Sequence, residues 1–462
     1  MLMDASSSLR FLQSHFRDMI VRFAEFLRIP SVSTDPAYAP QVRQCAEWLC
    51  DYMREIGINN SQVLPTTGHP IVLGEYTSNS PAPTVLVYGH YDVQPPDPTA
   101  EWESDPFEMT IRDGILYARG SSDDKGQVFA ILMALQSMIA TMDALPCNLK
   151  ILIEGEEEAG SGGILDYIDR QRESLRSATA LICDTAMLSE QKPSLVVSLR
   201  GIVYADLIIR GAKRDLHSGV YGGAIPNPFH VLGNIIAHAH DVHRRITIPG
   251  FYDDVEEPSM EERLQLAEIP FNEREWLDDI GVTRAHTEEG YSVLESTTMR
   301  PTLDIHGIWG GYGGEGVKTI IPGTVAAKLS ARLVAHQDPD RIFRLLDHYV
   351  ADHIPASMSY ELHRLVEAMP VSIRSDGLAM SAARVALENV FGCQPSFMRE
   401  GGSIPIVIAL KKHLGLEPIL MGFGLESDAI HAPNEHISLN RLEKGAESVI
   451  HFLAQLAAGW TG

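Results

Sequence analysis

The stretch that decides the fold runs from Val85 to Gly126. It opens with Val85-Leu86-Val87-Tyr88-Gly89-His90-Tyr91-Asp92 and closes with Arg119-Gly120-Ser121-Ser122-Asp123-Asp124-Lys125-Gly126, after which an apolar segment continues to Met142. Four apolar residues in succession before a glycine read as a strand covered on both faces, as in the middle of a parallel sheet. The apolar run from Gly126 to Met142 is long enough for a buried helix. Strand, polar cluster, helix places His90, Asp92 and Asp123 at a strand's carboxyl end, where open α/β sheets hold their sites.

Working outward, helical periodicity covers residues 8–28 and stops before Pro30, and a second helix covers 41–56 with Gly57 as its stop. Strands are expected at 61–64, 71–76 and 84–88, a short meander at 107–117, and a strand at 149–153 that ends in Glu154-Gly155-Glu156-Glu157-Glu158-Ala159-Gly160-Ser161. A helix at 163–172 leads to a strand at 178–183 ending at Asp184. This alternation predicts an α/β domain with a largely parallel, mixed sheet. From residue 195 the order changes to strand 195–211, helix 228–242, strands 302–307 and 324–334, helix 340–353 and strand 359–365, the βαββαβ order of a ferredoxin-like unit. An acidic, helix-prone insertion at 251–298 interrupts it. A helix at 376–391, strands near 405–409 and 417–423, and a last helix at 442–458 return to the first pattern. The expected division is a discontinuous domain of residues 1–197 and 371–462, with 198–370 inserted into it.

A chain of 462 residues suits two domains. No run of about eighteen apolar residues occurs, so no membrane span is expected, and the N-terminus reads as an amphipathic helix rather than a signal peptide. Five scattered cysteines, without a CxxC pair, argue against a disulfide framework or a cysteine zinc site and favour a reducing cytoplasm. The net charge of −24 argues against a nucleic-acid partner. Spread along the chain, it serves solubility, with a smaller part concentrated where cations would bind.

The candidate ligands fall at strand ends: His90, Asp123, the run Glu156 to Glu158, Asp184 and, far downstream, His431. Imidazole nitrogen and carboxylate oxygen suit zinc. A lone histidine at a strand end is as readily a satisfied core residue; Asp92, two residues on, tips the balance, because a ligating imidazole usually donates its other N–H to a carboxylate. Asp123 and Asp124 also stand where a helix N-cap would, and at least one is expected to cap.

These segments resemble signatures of the M20 metallopeptidases, in particular the dipeptidase and carnosinase-like branch. The matching segments are GHYDVQP (89–95), YARGSSDDKG (117–126), EGEEEAGS (154–161), RDLHSGVYGG (214–223), KTIIP (318–322) and REGGSIP (399–405). All six stand in the family's order and span nearly the whole chain. The resemblance implies a zinc-peptidase-like catalytic domain and an inserted domain serving as lid and dimerisation element. It implies two divalent metal ions, Zn2+ with Mn2+ or Co2+ as alternatives, bridged by Asp123 and a water. His90 and Asp184 would complete one site, Glu158 and His431 the other. Glu157 would be the general base, Asp92 the carboxylate behind His90, and Glu156 the spare glutamate. His217 would reach the partner subunit's site and stabilise the oxyanion, so a homodimer is implied. Arg332, Gly402 and Ser403 would hold the carboxylate of a small peptide substrate. The expected activity is hydrolysis of dipeptides or short peptides with a free C-terminal carboxylate. The alternatives are an N-acyl-amino-acid deacylase or desuccinylase on the same metals, and a metal-binding protein without catalysis. His306 and the insertion at 251–298 carry no assigned role.

Overall fold

The computed structural model describes residues 5–78, 81–402 and 404–461. The chain divides into two compact units: Met1–Val197, Ile373–Met398 and Pro405–Gly462 form the first, and Ser198–Ser372 with Arg399–Ile404 the second.

In the first unit the central strand is Thr84–His90, buried over almost its whole length. It pairs in parallel with Asn148–Glu154 on one side and Thr179–Ile182 on the other, and Thr179–Ile182 pairs in parallel with Pro418–Leu420. Antiparallel strands flank this core: Ile71–Tyr76 and Asn60–Leu64 on one side, Ser194–Leu199 on the other. Parallel strands run the same way, so His90, Glu154 and Ile182 end at one rim, and the loops that follow gather there. The helix Lys125–Thr141 is buried on nearly all sides, as expected for a helix apolar all round. Phe129 stacks on Phe23 of the helix Ser6–Leu27 at 4.9 Å between ring centroids and on Tyr52 of the helix Ala39–Glu55 at 5.3 Å. Each such buried ring contributes about 1.5–3 kcal/mol. Gly126 is required here: a Cβ would lie 1.9 Å from the carbonyl oxygen of Ser121.

The second unit contains a four-stranded antiparallel sheet in the order Thr302–Gly310, Thr324–Leu333, Gly201–Arg210, Ser359–Ala368. Its alternating residues Val203, Ala205, Leu207 and Ile209 pack with Val231, Leu232 and Ile235 of the helix Pro228–His238 and Ile342 and Leu346 of the helix Pro339–His353. By alternation, Ile202, Tyr204, Ser330 and Arg332 belong to the other face. The insertion forms three short helices, Met260–Ala267, Glu273–Asp279 and Val293–Thr298.

Four details differ from the sequence reading. The segment 195–211 is two strands in two different sheets, Ser194–Leu199 and Gly201–Arg210, parted at Arg200. Gly201 permits the break, since a Cβ there would lie 2.5 Å from the Ala368 carbonyl oxygen. Residues 405–409 are not a strand but the start of the helix Pro405–Leu414. β-branched residues mislead there, whereas burial at Ile406, Val407, Ala409 and Leu410 follows the helical period, and Pro405 occupies the first turn, where its missing N–H costs nothing. The helix beginning at Pro228 ends at His238, four residues short of the expected end. Finally, Asp124 stands at the N-cap of Lys125–Thr141 without capping it: its Oδ2 instead accepts the His90 N–H at 3.0 Å.

Candidate metal centre

The rim of the first unit is built from five loops. His90 ends its strand fully buried, with Nδ1 3.1 Å from the Asp92 carbonyl oxygen and 3.3 Å from Asp92 Oδ1. Those contacts leave Nε2 facing the acids, 3.1 Å from Asp123 Oδ1 and 3.7 Å from Asp184 Oδ2. His431 arrives from the far end of the chain, its Nε2 2.9 Å from Asp123 Oδ2 and 3.3 Å from Glu158 Oε1. Asp123 therefore turns one carboxylate oxygen to each imidazole. Two groups of possible ligand atoms result, His90 with Asp124 and Asp184, and Asp123 with Glu158 and His431, each within 4.8 Å of one another.

The electrostatics call for cations. Among the described residues, the ion pairs of Asp123, Asp184 and Glu158 at this rim go to imidazoles. Burial and repulsion by Asp124 push the Asp184 carboxyl well above the carboxylate range, and burial does the same to Asp124. Asp124 Oδ1 is buried without a hydrogen-bond partner, a costly state for a carboxylate oxygen. Burial opposes ionisation of Asp123, but hydrogen bonds from His431 and His90 outweigh it and hold that carboxyl below its usual range. Hydrogen bonds to Asp123 and Glu158 lift His431 to about 10. Burial would lower His90, yet its hydrogen bonds to Asp123 and Asp92 raise it well above the ordinary imidazole value. Both imidazoles turn Nε2 toward carboxylate oxygens, a donor set that attracts positive charge. Two divalent ions on the same nitrogens and oxygens would supply it, and the oxygen-rich, two-histidine donors fit zinc, manganese or cobalt.

The loop Glu156–Ser161 is fastened from two sides. Asp92 Oδ1 accepts the Glu157 N–H at 3.2 Å, and Oδ2 accepts the Glu158 N–H at 3.1 Å and the Ser33 hydroxyl at 2.6 Å. Glu156, the spare glutamate of the sequence reading, accepts the His69 N–H at 2.8 Å and the Gly163 N–H, so it staples the loop to the next helix. Gln94 donates to Glu158 Oε2 at 2.6 Å. Burial, offset in part by His90 and reinforced by Glu158 and Asp123, lifts Glu157 to about 7. A carboxylate poised there suits general-base work near neutral pH.

Two supporting residues had no role in the sequence reading. Glu435, fully buried, accepts the N–H groups of Gly120, Ser122 and Asp123 at 2.8, 2.9 and 3.0 Å and pairs with Arg119 at 2.8 Å. Asp428 takes the Ser122 hydroxyl at 2.7 Å and Arg441 at 2.7 Å. The acid-rich run 426–435 held a signal, but nothing local says which acid turns inward. Around His431 the backbone is strained, with Ala429, His431 and Asn434 at φ of 56°, 62° and 64°. The Asn434 side chain ties this loop to the Glu103 N–H at 2.8 Å and the Glu101 carbonyl at 2.9 Å.

The remaining candidates belong to the second unit. His217 is exposed, and its Nδ1 accepts the Gly219 N–H at 3.0 Å, which leaves the proton of the neutral ring on Nε2. Arg332 pairs in register with Ile202 and Thr302. Gly402 is exposed, and Ser403 lies outside the described residues. Arg399 of the same loop makes an ion pair with Glu262 of the insertion, whose other oxygen closes a capping box with Ser259. His306 sits at a β-bulge, stacked on Tyr204 at 5.1 Å and 2.8 Å from the Ser330 hydroxyl.

A parallel-centred α/β unit with two adjoining histidine–carboxylate groups at its strand ends, accompanied by a ferredoxin-like unit, defines a metallopeptidase architecture. The chain matches peptidase family M20/M25/M40 over residues 86–455 and belongs to that family. It is 30% identical to the Cys-Gly metallodipeptidase dug1 of Schizosaccharomyces pombe, with 96% of each chain covered. It is 29% identical to the Beta-Ala-His dipeptidase of Rattus norvegicus, with 97% of this chain and 94% of the relative covered. Among solved structures, the M20 family metallo-carboxypeptidase Sso-CP2 from Sulfolobus solfataricus superposes with a TM-score of 0.82 at 31% identity, covering 95% of this chain and 99% of that one.

Proposed function

We propose that this protein hydrolyses the peptide bond of dipeptides or short peptides bearing a free C-terminal carboxylate, using two divalent metal ions, Zn2+ foremost. The observation that carries the reading is Asp123, whose two oxygens are divided between His90 and His431 amid more buried carboxylate than the protein neutralises. In this reading His90, Asp123 and Asp184 hold one ion, and Asp123, Glu158 and His431 the other. Asp124 backs the first group, its Oδ2 engaged by the His90 N–H.

When bound, such ions would polarise the scissile carbonyl and lower the pKa of a bound water. Glu157 accepts the proton of the attacking water at its carboxylate and delivers it to the leaving amine, so the bond breaks without a covalent enzyme intermediate. Asp92 fixes the height of that carboxylate through the Glu157 N–H, and orients His90. His217, with its proton on Nε2, donates to the developing oxyanion of the partner subunit's substrate, in a homodimer whose lid and dimerisation element is the inserted region 198–370. Arg332, Gly402 and Ser403 hold the substrate carboxylate. The dipeptidase relatives support this substrate class over the deacylase alternative. Five free cysteines, four of them buried, support a reducing cytoplasm as its location. Among the described residues no helix is long and apolar enough to cross a membrane.

The test is an assay of purified protein, with Zn2+ or Mn2+, against a panel of dipeptides and N-acyl amino acids. Turnover of dipeptides is the expected result. Turnover of N-acyl amino acids alone would replace the reading by the deacylase, and metal binding without any turnover would leave a non-catalytic protein.

A further inference from the structure

Arg200 stands where the chain leaves one sheet and enters the other, and among the described residues no ion pair to an acid engages it. Its Nε and Nη1 are buried and have no hydrogen-bond partner. Its backbone N–H donates to the Glu400 carbonyl at 3.0 Å, against the Arg399–Gly402 loop. A Cβ built on Gly401 would lie 2.8 Å from Arg200 Nη2, so the guanidinium packs directly on that glycine. Two residues along, Ile202 is the register partner of Arg332. Arg332 is the largest charged influence on Arg200 and repels it; Asp304 offsets part of this, and burial is the first cause of its lowered pKa, about 10. Two neighbouring cations, one with buried donors left open, form half of an ion pair whose other half is an anion. The guanidinium fork matches a carboxylate through two parallel N–H groups.

We propose that Arg200 is a second substrate-binding arginine, which joins Arg332 in gripping the free carboxylate of the peptide, with Gly401 kept bare so that the guanidinium can reach it. The proposal rests on the peptidase reading above and extends it to a residue that favours the free carboxylate over its amide. Arg441 also leaves Nε and Nη1 without hydrogen bonds, but it pairs with Asp428 and Glu190; among the described residues Arg200 has no such ion pair.

The experiment compares wild type, Arg200→Met and Arg200→Lys on a dipeptide and on its C-terminal amide. Metal content and thermal unfolding are measured in parallel, the latter on metal-loaded protein in sodium acetate and in sodium chloride of equal ionic strength. Arg200→Met is expected to raise KM for the free acid at least tenfold, with kcat, metal content and KM for the amide changed less than about twofold. Arg200→Lys should fall between. Acetate should raise the Tm of wild type above its value in chloride, and should not do so for Arg200→Met. An unchanged KM for the free acid, or an equal loss on acid and amide with a lowered Tm, would overturn the proposal. If wild type cleaves no dipeptide, the peptidase reading fails, while the acetate comparison still decides whether Arg200 binds a carboxylate.

Discussion

The strand-end rim of the first unit and the arginine-bearing sheet face of the second are opposite in charge and alike in condition. The rim crowds Asp123, Asp124, Asp184, Glu157 and Glu158 around two imidazoles, with Asp124 Oδ1 buried and unpartnered. The second unit places Arg200 beside Arg332 with two guanidinium nitrogens buried and unpartnered. Folding normally pairs buried charge within the chain. Where it leaves a surplus of one sign, the protein is incomplete without a ligand of the other. On the reading proposed above, the rim takes cations and the sheet face takes a carboxylate. Variants at the rim should therefore alter metal content or kcat, and variants at the arginine face should alter KM.

The largest effect is expected from Glu157→Gln. It should lower kcat by about 10²–10⁴-fold, with metal content by elemental analysis unchanged; full activity in this variant would remove Glu157 as the base. Next is His217→Ala, which tests the division most severely because it lies in the second unit yet should act on kcat. A loss of about 10²–10³-fold, without loss of metal, is expected, and mixing it with Glu157→Gln protein should restore part of the activity if His217 serves the partner subunit. No restoration would place its action within one chain. Metal removal comes third. At about a hundredfold excess over Kd, a cation that binds only the folded state stabilises it by about 2.7 kcal/mol, so EDTA should lower Tm by several degrees and Zn2+ should restore it. A Tm indifferent to both would mean that the acid surplus at the rim is not a cation site. Asp92→Asn should weaken metal binding by about 10–100-fold, read by competition with a chromophoric chelator; unaltered affinity would confine Asp92 to holding the loop. The smallest effect belongs to Glu262→Gln, which loosens Arg399 and the loop beside Arg200. A few-fold rise in KM at constant kcat is expected, and a fall in kcat instead would move that loop to the chemistry.

How much was legible beforehand varies by element in a regular way. The strand Thr84–His90 and the helix Lys125–Thr141 were readable because burial on all sides forces near-continuous apolar sequence. Pro405–Leu414 was misread because a short apolar run with three β-branched residues, Ile406 to Ile408, is ambiguous until its neighbours show which ones are buried. His90 and Asp92 could be linked because they are two residues apart. Glu435, which receives three backbone N–H groups from a loop more than three hundred residues earlier, could not. Asp124 looked like a cap because its position is a cap position; the direction of its carboxylate depends on the end of the strand Thr84–His90, which no local pattern encodes.

The sequence by itself determined the inventory: which strands are buried, which polar clusters follow them, and that histidines and acids of the right chemistry are present. Those are properties of composition and period, and they survive in a linear string. Only the tertiary structure decided the partners. It divided the two oxygens of Asp123 between histidines 341 positions apart in the chain, turned Asp92 beneath the glutamate loop, and buried two guanidinium nitrogens of Arg200 without a hydrogen-bond partner. Whether a charge is satisfied depends on distances set by chain segments remote from one another, and such distances exist only after the chain has folded.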